Sequence, residues 1–286
     1  MLALSLGLTA ALIWAVHDLM ARKLSPGAEL LPIVLLVLAS GCVVLAGPTL
    51  VLGDWSGLSA AGLGLSCAAG AAFALAIGTL YRAFSMAPAR IVSPIIGAYP
   101  ILSLALAVAQ GRPVTLADWA AVAAVVGGIL IVSLTADEGG TTDASPQSHL
   151  PAMGWSFLSA CGFAATFAIG QEAARQASEL PTILVTRLVA TVVIGLLFLW
   201  MRSSLSSVRG NWVIIAGMGV FDALALSLVT ASGNLSQAEY ASVSSSLFGV
   251  GTILLASYFL HEKLRWLQWI GVATVFGGIA SLSLQG

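Results

Sequence analysis

The chain has 286 residues, of which 59% are hydrophobic and 8% charged, with a mean hydropathy of +1.01. A soluble domain carries about 25% charged residues, so this composition excludes an ordinary soluble fold and points to a polytopic α-helical membrane protein. The net charge of −1 excludes the basic face that a nucleic-acid binder needs, and Cys42, Cys67 and Cys161, all inside apolar runs, define neither a disulfide framework nor a zinc site.

A crossing needs about 20 apolar residues. On that rule the sequence predicts ten spans, near residues 2–21, 30–52, 57–81, 90–110, 115–135, 152–172, 180–201, 211–232, 239–260 and 265–284. The apolar N-terminus lacks the basic region and cleavage site of a signal peptide and reads as the first span. Residues 136–151, ADEGGTTDASPQSHLP, are polar and free of Lys and Arg, which reads as a flexible linker. One integral membrane domain is therefore predicted in three parts: a first five-helix repeat at 1–135, the linker at 136–151 and a second repeat at 152–286.

Spaced matches support the duplication. Trp119 and Trp269 are 150 apart, as are the pairs Gly127-Gly128 and Gly277-Gly278; Pro32 and Pro181 are 149 apart, Arg22 and Arg175 153. Five spans per unit is an odd number, so the second unit must enter the membrane upside down relative to the first. The predicted fold class is thus all-α: ten transmembrane helices as two inverted five-helix repeats around a central cavity near the midplane. Of the 11 Lys and Arg, eight fall in the loops joining spans 1–2, 3–4, 7–8 and 9–10, two on the other side, and Arg187 lies within a span. By the positive-inside rule both termini face away from the cytoplasm.

Breaks in the spans locate the expected site. Span 4, RIVSPIIGAYPILSLALAVAQG, carries Pro94 and Pro100 with Gly97 between them. Carbonyls freed by a proline at that depth must be satisfied inside protein or in a wet cavity. Its counterpart, span 9, has Ser244 and a Gly-x-Gly step, Gly249 to Gly251, in place of the prolines. Two interrupted spans at matching positions point to a substrate site, with Pro94, Pro100, Gly249 and Gly251 as hinges.

Seven tryptophans sit near span ends, as an aromatic belt expects, but Trp14 lies inside span 1, with His17 and Asp18 one turn later. Phe163, Phe167 and Gln171 face it from the second half. Any one of these rings is equally well explained as core packing; together with His17 they read as a wall for a planar, partly polar ligand. Ser93, Tyr99, Phe248 and, at the polar tip of span 3, Tyr81 complete the candidate lining. Asp222 and Arg187 lie deep in the membrane, where a charge costs about 2.5–3.5 kcal/mol, and read either as a mutual lock or as a substrate or proton site at Asp222. No metal-ligand motif, phosphate loop or catalytic triad is present, so neither an enzyme nor an ATP-driven pump is expected, and no cofactor.

The segment LHEKLRWLQWIGVATVFGGI after span 9 is similar to the glycine–glutamate–arginine–leucine closing motif of each repeat in EamA-type carriers of the drug/metabolite transporter superfamily. His261, Glu262, Lys263 and Leu264 stand at that motif. The first-half counterpart, QGRPVTLADWAAVAAVVGGI, has Arg112 in place of the glutamate. Arg187 resembles the family's arginine in the second span of a repeat, where the first half has Val37. Among branches the chain most resembles the YddG-type aromatic amino-acid exporters. The resemblance implies a secondary transporter in the bacterial inner membrane, working as a monomer and exporting amino acids, aromatic or large apolar ones. Its partners would be that small-molecule substrate and membrane lipid, not nucleic acid. Alternatives are another small metabolite or lipophilic cation as cargo, and a non-transporting membrane scaffold. The family's cytoplasmic termini conflict with the charge count.

Overall fold

A computed structural model describes residues 1–24, 29–84, 86, 92, 95–111, 113–135, 150–259 and 264–285. The expected linker up to position 149 and the motif residues Arg112, His261, Glu262 and Lys263 lie outside the described residues. Among the described residues every regular element is helical: α1 (Leu2–Leu24), α2 (Leu30–Leu52), α3 (Ala60–Phe84), α4 (Tyr99–Ala109), α5 (Leu116–Leu134), α6 (Leu150–Gln176), α7 (Glu179–Trp200), α8 (Trp212–Ala231), α9 (Glu239–Ser245), α10 (Phe248–Phe259) and α11 (Trp266–Gln285). Short 3-10 turns occupy Leu205–Val208 and Ser232–Asn234.

Helices satisfy their own backbone polar groups, which lipid cannot do. Seven stretches are long and apolar enough to cross a membrane: Leu2–Met20, Leu30–Leu52, Ala60–Leu80, Leu150–Gln176, Glu179–Trp200, Trp212–Asn234 and Glu239–Phe259. Three shorter apolar helices, Tyr99–Ala109, Leu116–Val132 and Trp266–Leu282, stand where the sequence predicts spans four, five and ten. Leu50, Val51, Leu196 and Leu199 point outward, and Trp200, Trp212, Trp266 and Trp269 are exposed at helix ends. That is how an apolar belt with interfacial anchors is built.

Both expected interruptions are present, and their positions differ in detail from the sequence reading. In the first half a turn at Gly97 and Ala98 precedes α4. Pro100 falls in the first turn of α4, where a missing N–H forfeits no helical bond, so it starts a helix instead of kinking one. Pro94 lies outside the described residues. In the second half a turn at Ser246 and Leu247 separates α9 from α10, at the offset that relates Pro32 to Pro181. Gly249 and Gly251 lie inside α10, after the break. The serines explain the shift: the hydroxyls of Ser244, Ser245 and Ser246 each bond a carbonyl three or four residues back, competing with the helical ladder. Gly251 serves close approach instead, since a Cβ there would fall 2.9 Å from the Ala15 Cβ on α1.

Helices of the two halves pack chiefly on each other: α3 on α6, α5 on α11, α7 on α2 and α3, α8 on α1 and α2, α1 on α9 and α10, and α4 on α6. The same close contact occurs twice. A Cβ on Gly219 would fall 2.4 Å from the Val37 carbonyl oxygen, and one on Gly70 would fall 2.5 Å from that of Thr186. Gly70 and Gly219, like Val37 and Thr186, are related by the same offset as Pro32 and Pro181. Helix directions follow from the contacts. Gly128 meets Gly271 and Val275 while Gly278 meets Ala121 and Val125, so α5 and α11 are antiparallel. Gly41 meets Arg187 while Gly53 meets Pro181, so α2 and α7 are antiparallel too. By contrast α1 runs parallel to α9 and α10, with Leu4 at Ser244 and Asp18 at Thr252.

Candidate functional site

Rings gather where the two broken helices meet α1 and α6. Tyr99 and Phe248 occupy matching positions in the two repeats, each the first residue of the helix that follows a break. Trp14 lies 6.0 Å from Phe167 and 6.2 Å from Phe248, centroid to centroid; Tyr99 lies 5.4 Å from Phe167 and 6.3 Å from Phe163. Phe73 on α3 extends the cluster to Phe163 at 6.4 Å. Tilted and edge-on pairs at such separations each contribute about 0.5–1.5 kcal/mol beyond burial. The Tyr99 hydroxyl and Ser245 Oγ, 2.8 Å apart, tie the two broken helices together.

The sequence expects these side chains to border a hollow, whereas here the rings close on one another. Tyr99 and Phe167 are buried; Trp14, Phe163 and Phe248 are half-buried. Apolar ring faces lower their free energy by covering each other.

Beside the rings lies the membrane-buried ion pair. Arg187 Nη1 donates to Asp222 Oδ2 at 2.7 Å, and the Trp14 indole N–H donates to Asp222 Oδ1 at 3.0 Å. Arg187 also donates from Nε to the Leu38 carbonyl at 3.2 Å and from Nη2 to the Val37 and Gly219 carbonyls at 2.9 and 3.4 Å. Room for the guanidinium comes from Gly41, where a Cβ would sit 2.2 Å from it. A buried pair held this way costs desolvation and contributes little net stability, yet breaking it leaves an uncompensated charge worth about 3–5 kcal/mol.

Two polar flanks border the cluster. One turn beyond Trp14, His17 Nδ1 lies 3.1 Å from Asp18 Oδ1, and Asp18 Oδ2 lies 3.4 Å from the Thr252 hydroxyl. One turn beyond Phe167, Gln171 Nε2 is within bonding distance of the Val229 carbonyl (3.2 Å), Ser232 Oγ (3.0 Å) and the Ala238 carbonyl (2.9 Å). A narrow slot there, with room for about one water, is lined by Ser103, Gln110, Gln171, Glu239 and Ser242 among others. The buried Ser103 hydroxyl has no partner among the described residues.

The structure thus brings together Trp14, Tyr99, Phe163, Phe167 and Phe248, with Asp222 and Arg187 behind Trp14 and His17 and Gln171 on the flanks. Ser244 stands apart. Its hydroxyl is buried against the Leu4 and Tyr240 carbonyls and joins α9 to α1. Ser93 and Pro94 lie outside the described residues, as does the side chain of Tyr81. Sequence reasoning did not select Phe73, Ser103 or the bond from the Tyr240 hydroxyl to Asp118. The repeat offset was a usable signal for Ser103, which is the first-half counterpart of Thr252.

A bundle of apolar helices, broken at two corresponding places around aromatic and buried charged side chains, defines an integral multi-pass membrane protein of the small-molecule carrier class. The chain belongs to the EamA-like transporter family of the drug/metabolite transporter superfamily, whose sequence profile matches residues 1–134 and 150–284. Members of that family carry small metabolites across membranes and are transporters rather than enzymes. A solved crystal structure superposes on 99% of this chain and 96% of its own with a TM-score of 0.83 at 18% identity, a likeness of fold. No functionally curated protein matches the sequence.

Proposed function

We propose that the chain is a secondary transporter that exports amino acids, aromatic or large apolar ones, by alternating access at the aromatic cluster, in the manner of the YddG-type exporters. The observation that carries this reading is the placement of Tyr99 and Phe248 as the first residues after the two breaks, both in the ring cluster with Trp14 and Phe167. A planar side chain would take the place that the rings now fill with each other. Backbone groups released at the two breaks are the polar partners for a zwitterion. Motion of either broken helix would part Tyr99 from Phe167 or Phe248 from Trp14.

The architecture behind this reading is ten spans in two inverted repeats, at 1–135 and 152–286, joined by the linker 136–151. The antiparallel pairs α2–α7 and α5–α11 and the parallel run of α1 with α9 and α10 support it, because ten alternating spans require those directions. The twofold occurrence of the glycine–carbonyl contact at the repeat offset supports it as well. We place the protein in a bacterial inner membrane, as a monomer whose ligands are its substrate and lipid. A cationic cargo is less well supported, because both Asp222 oxygens are already engaged by Arg187 and Trp14.

Purified protein in liposomes should exchange L-phenylalanine or L-tryptophan in counterflow and discriminate against L-alanine. Trp14→Ala should lower that exchange at least about tenfold while the protein still inserts, since it removes a large ring from the binding wall. Unchanged exchange would remove Trp14 from the site.

A further inference from the structure

We propose that the narrow slot beside the rings is the subsite for the substrate's α-ammonium group, so that the carrier selects its cargo by a free primary amine as well as by an aromatic ring. The inference rests on the transport reading above and assigns the polar end of the ligand to particular side chains.

The slot adjoins the ring cluster on three helices at once. Ser103 stands one turn past Tyr99 on α4, and Gln171 one turn past Phe167 on α6. On α9, Ser242 stands one turn before Ser245, whose Oγ meets the Tyr99 hydroxyl. Residues three or four apart share a helix face, so each of these groups lies about 5.4 Å along its helix from a member of the cluster. In phenylalanine a comparable reach, one methylene and the α carbon, separates the ring from the amino group. A ring seated beside Tyr99 and Phe167 can therefore place its amine in the slot.

One group there lacks a partner. Ser103 is 5% exposed and lines the slot, and its hydroxyl is unbonded among the described residues. The Thr49 and Thr182 hydroxyls are unbonded as well, but neither residue borders the slot. A buried hydroxyl without a bond is unfavourable, and one that faces a cavity is satisfied when a ligand enters it.

Size and chemistry select the ammonium end. Space for about one water admits an ammonium group, which is of that size, but not the two oxygens of a carboxylate. The lining offers acceptors. Glu239, 6% exposed, brings a carboxylate, Ser103 and Ser242 bring hydroxyl oxygens, and Gln110 brings an amide oxygen. Gln171 spends its Nε2 on three acceptors and has its amide oxygen to offer. An ammonium has three donors and no acceptor, which matches such a lining, whereas a carboxylate would meet the like charge of Glu239. Arg112 follows Gln110 by two residues and lies outside the described residues. A slot ruled by that cation would take the carboxylate instead, which the test below distinguishes.

The test uses the full chain in proteoliposomes, with labelled L-phenylalanine in counterflow and two competitors. Phenethylamine keeps the ring and the ammonium; 3-phenylpropionate keeps the ring and the carboxylate. Phenethylamine should inhibit at least about tenfold better, because a site built to bond one polar group rejects an analogue that lacks it. Ser103→Ala should raise the KM for phenylalanine and the inhibition constant of phenethylamine together, by about threefold to tenfold for one lost hydrogen bond. The kcat, the unfolding midpoint and the inhibition constant of 3-phenylpropionate should stay as in wild type, a separation that a packing role alone does not produce. The subsite is overturned by 3-phenylpropionate inhibiting as well as phenethylamine or better, or by Ser103→Ala shifting neither competitor or both alike. Counterflow that fails when choline replaces sodium would give the slot to that metal ion and overturn it too. Absence of wild-type phenylalanine counterflow would sink the transport reading instead. The slot is then judged by binding in detergent. A rise in unfolding midpoint with phenethylamine that is lost in Ser103→Ala supports the amine subsite; an equal rise in both, or none in wild type, overturns it.

Discussion

At one flank of the ring cluster Gln171 reaches three acceptors, one in the last turn of α8 and two on the connection from α8 to α9. At the other, Asp18 meets Thr252 through one long contact. The helices carrying these residues, α6 and α1, hold corresponding places in the sequence repeat. The difference is therefore one of side-chain chemistry, not of architecture. A neutral amide in a dry position is satisfied by donating, and so locks the elements around it. A carboxylate there would repel the same carbonyls. Asp18 on the other flank is 35% exposed. In the inverted architecture proposed above the two flanks would face opposite membrane surfaces, and the Gln171 side would be the more tightly bonded of the two.

Replacements on and between these flanks should separate them. The largest effect is expected from Arg187→Met, which leaves Asp222 buried without its cation. Folded protein in detergent should lose about 3–5 kcal/mol of stability, read as a lowered unfolding midpoint. Gln171→Leu should follow, at about 0.5–1.5 kcal/mol for each hydrogen bond lost. It should also open its flank: with Cys42, Cys67 and Cys161 replaced, a Ser242→Cys thiol should label several-fold faster. No gain in labelling would break the comparison, since the amide would then not be what closes that side. The smallest effects belong to the hydroxyls. Thr252→Val should shift stability by no more than about 0.5 kcal/mol, because its contact to Asp18 is long. Ser103→Ala should be neutral or slightly stabilising, for a buried hydroxyl without a partner among the described residues loses nothing by removal.

Much of this was legible in the sequence. Apolar runs marked out the helices, and a proline-rich and a serine-rich stretch at matching places in the two repeats marked the interruptions. Trp14, placed well inside a span unlike the seven other tryptophans, pointed to the ring cluster. What pattern could not supply is which groups consume one another. The sequence leaves Asp222 open as a cation site, but only the fold shows both its oxygens taken. Ser244 looks like a ligand in a string of letters, yet its hydroxyl serves backbone carbonyls. The second break falls at Ser246 and Leu247, ahead of the Gly249–Gly251 step that the sequence suggests, because serine hydroxyls reach back along their own helix and compete with its ladder. Phe73 carries no local signal at all, and Ser103 only its place in the repeat; the third dimension brings them to the rings and the slot.

Arg187 reaches mostly for carbonyl oxygens, those of Val37, Leu38 and Gly219, and every amino acid carries a carbonyl. The bonds that tie α7 to α2 therefore do not depend on which apolar side chains stand at 37 and 38, although both are buried and must still pack. A library at 37 and 38 should tolerate apolar residues of similar size, while replacement of Arg187, of its partner Asp222, or of Gly41 and Gly219 should not be tolerated.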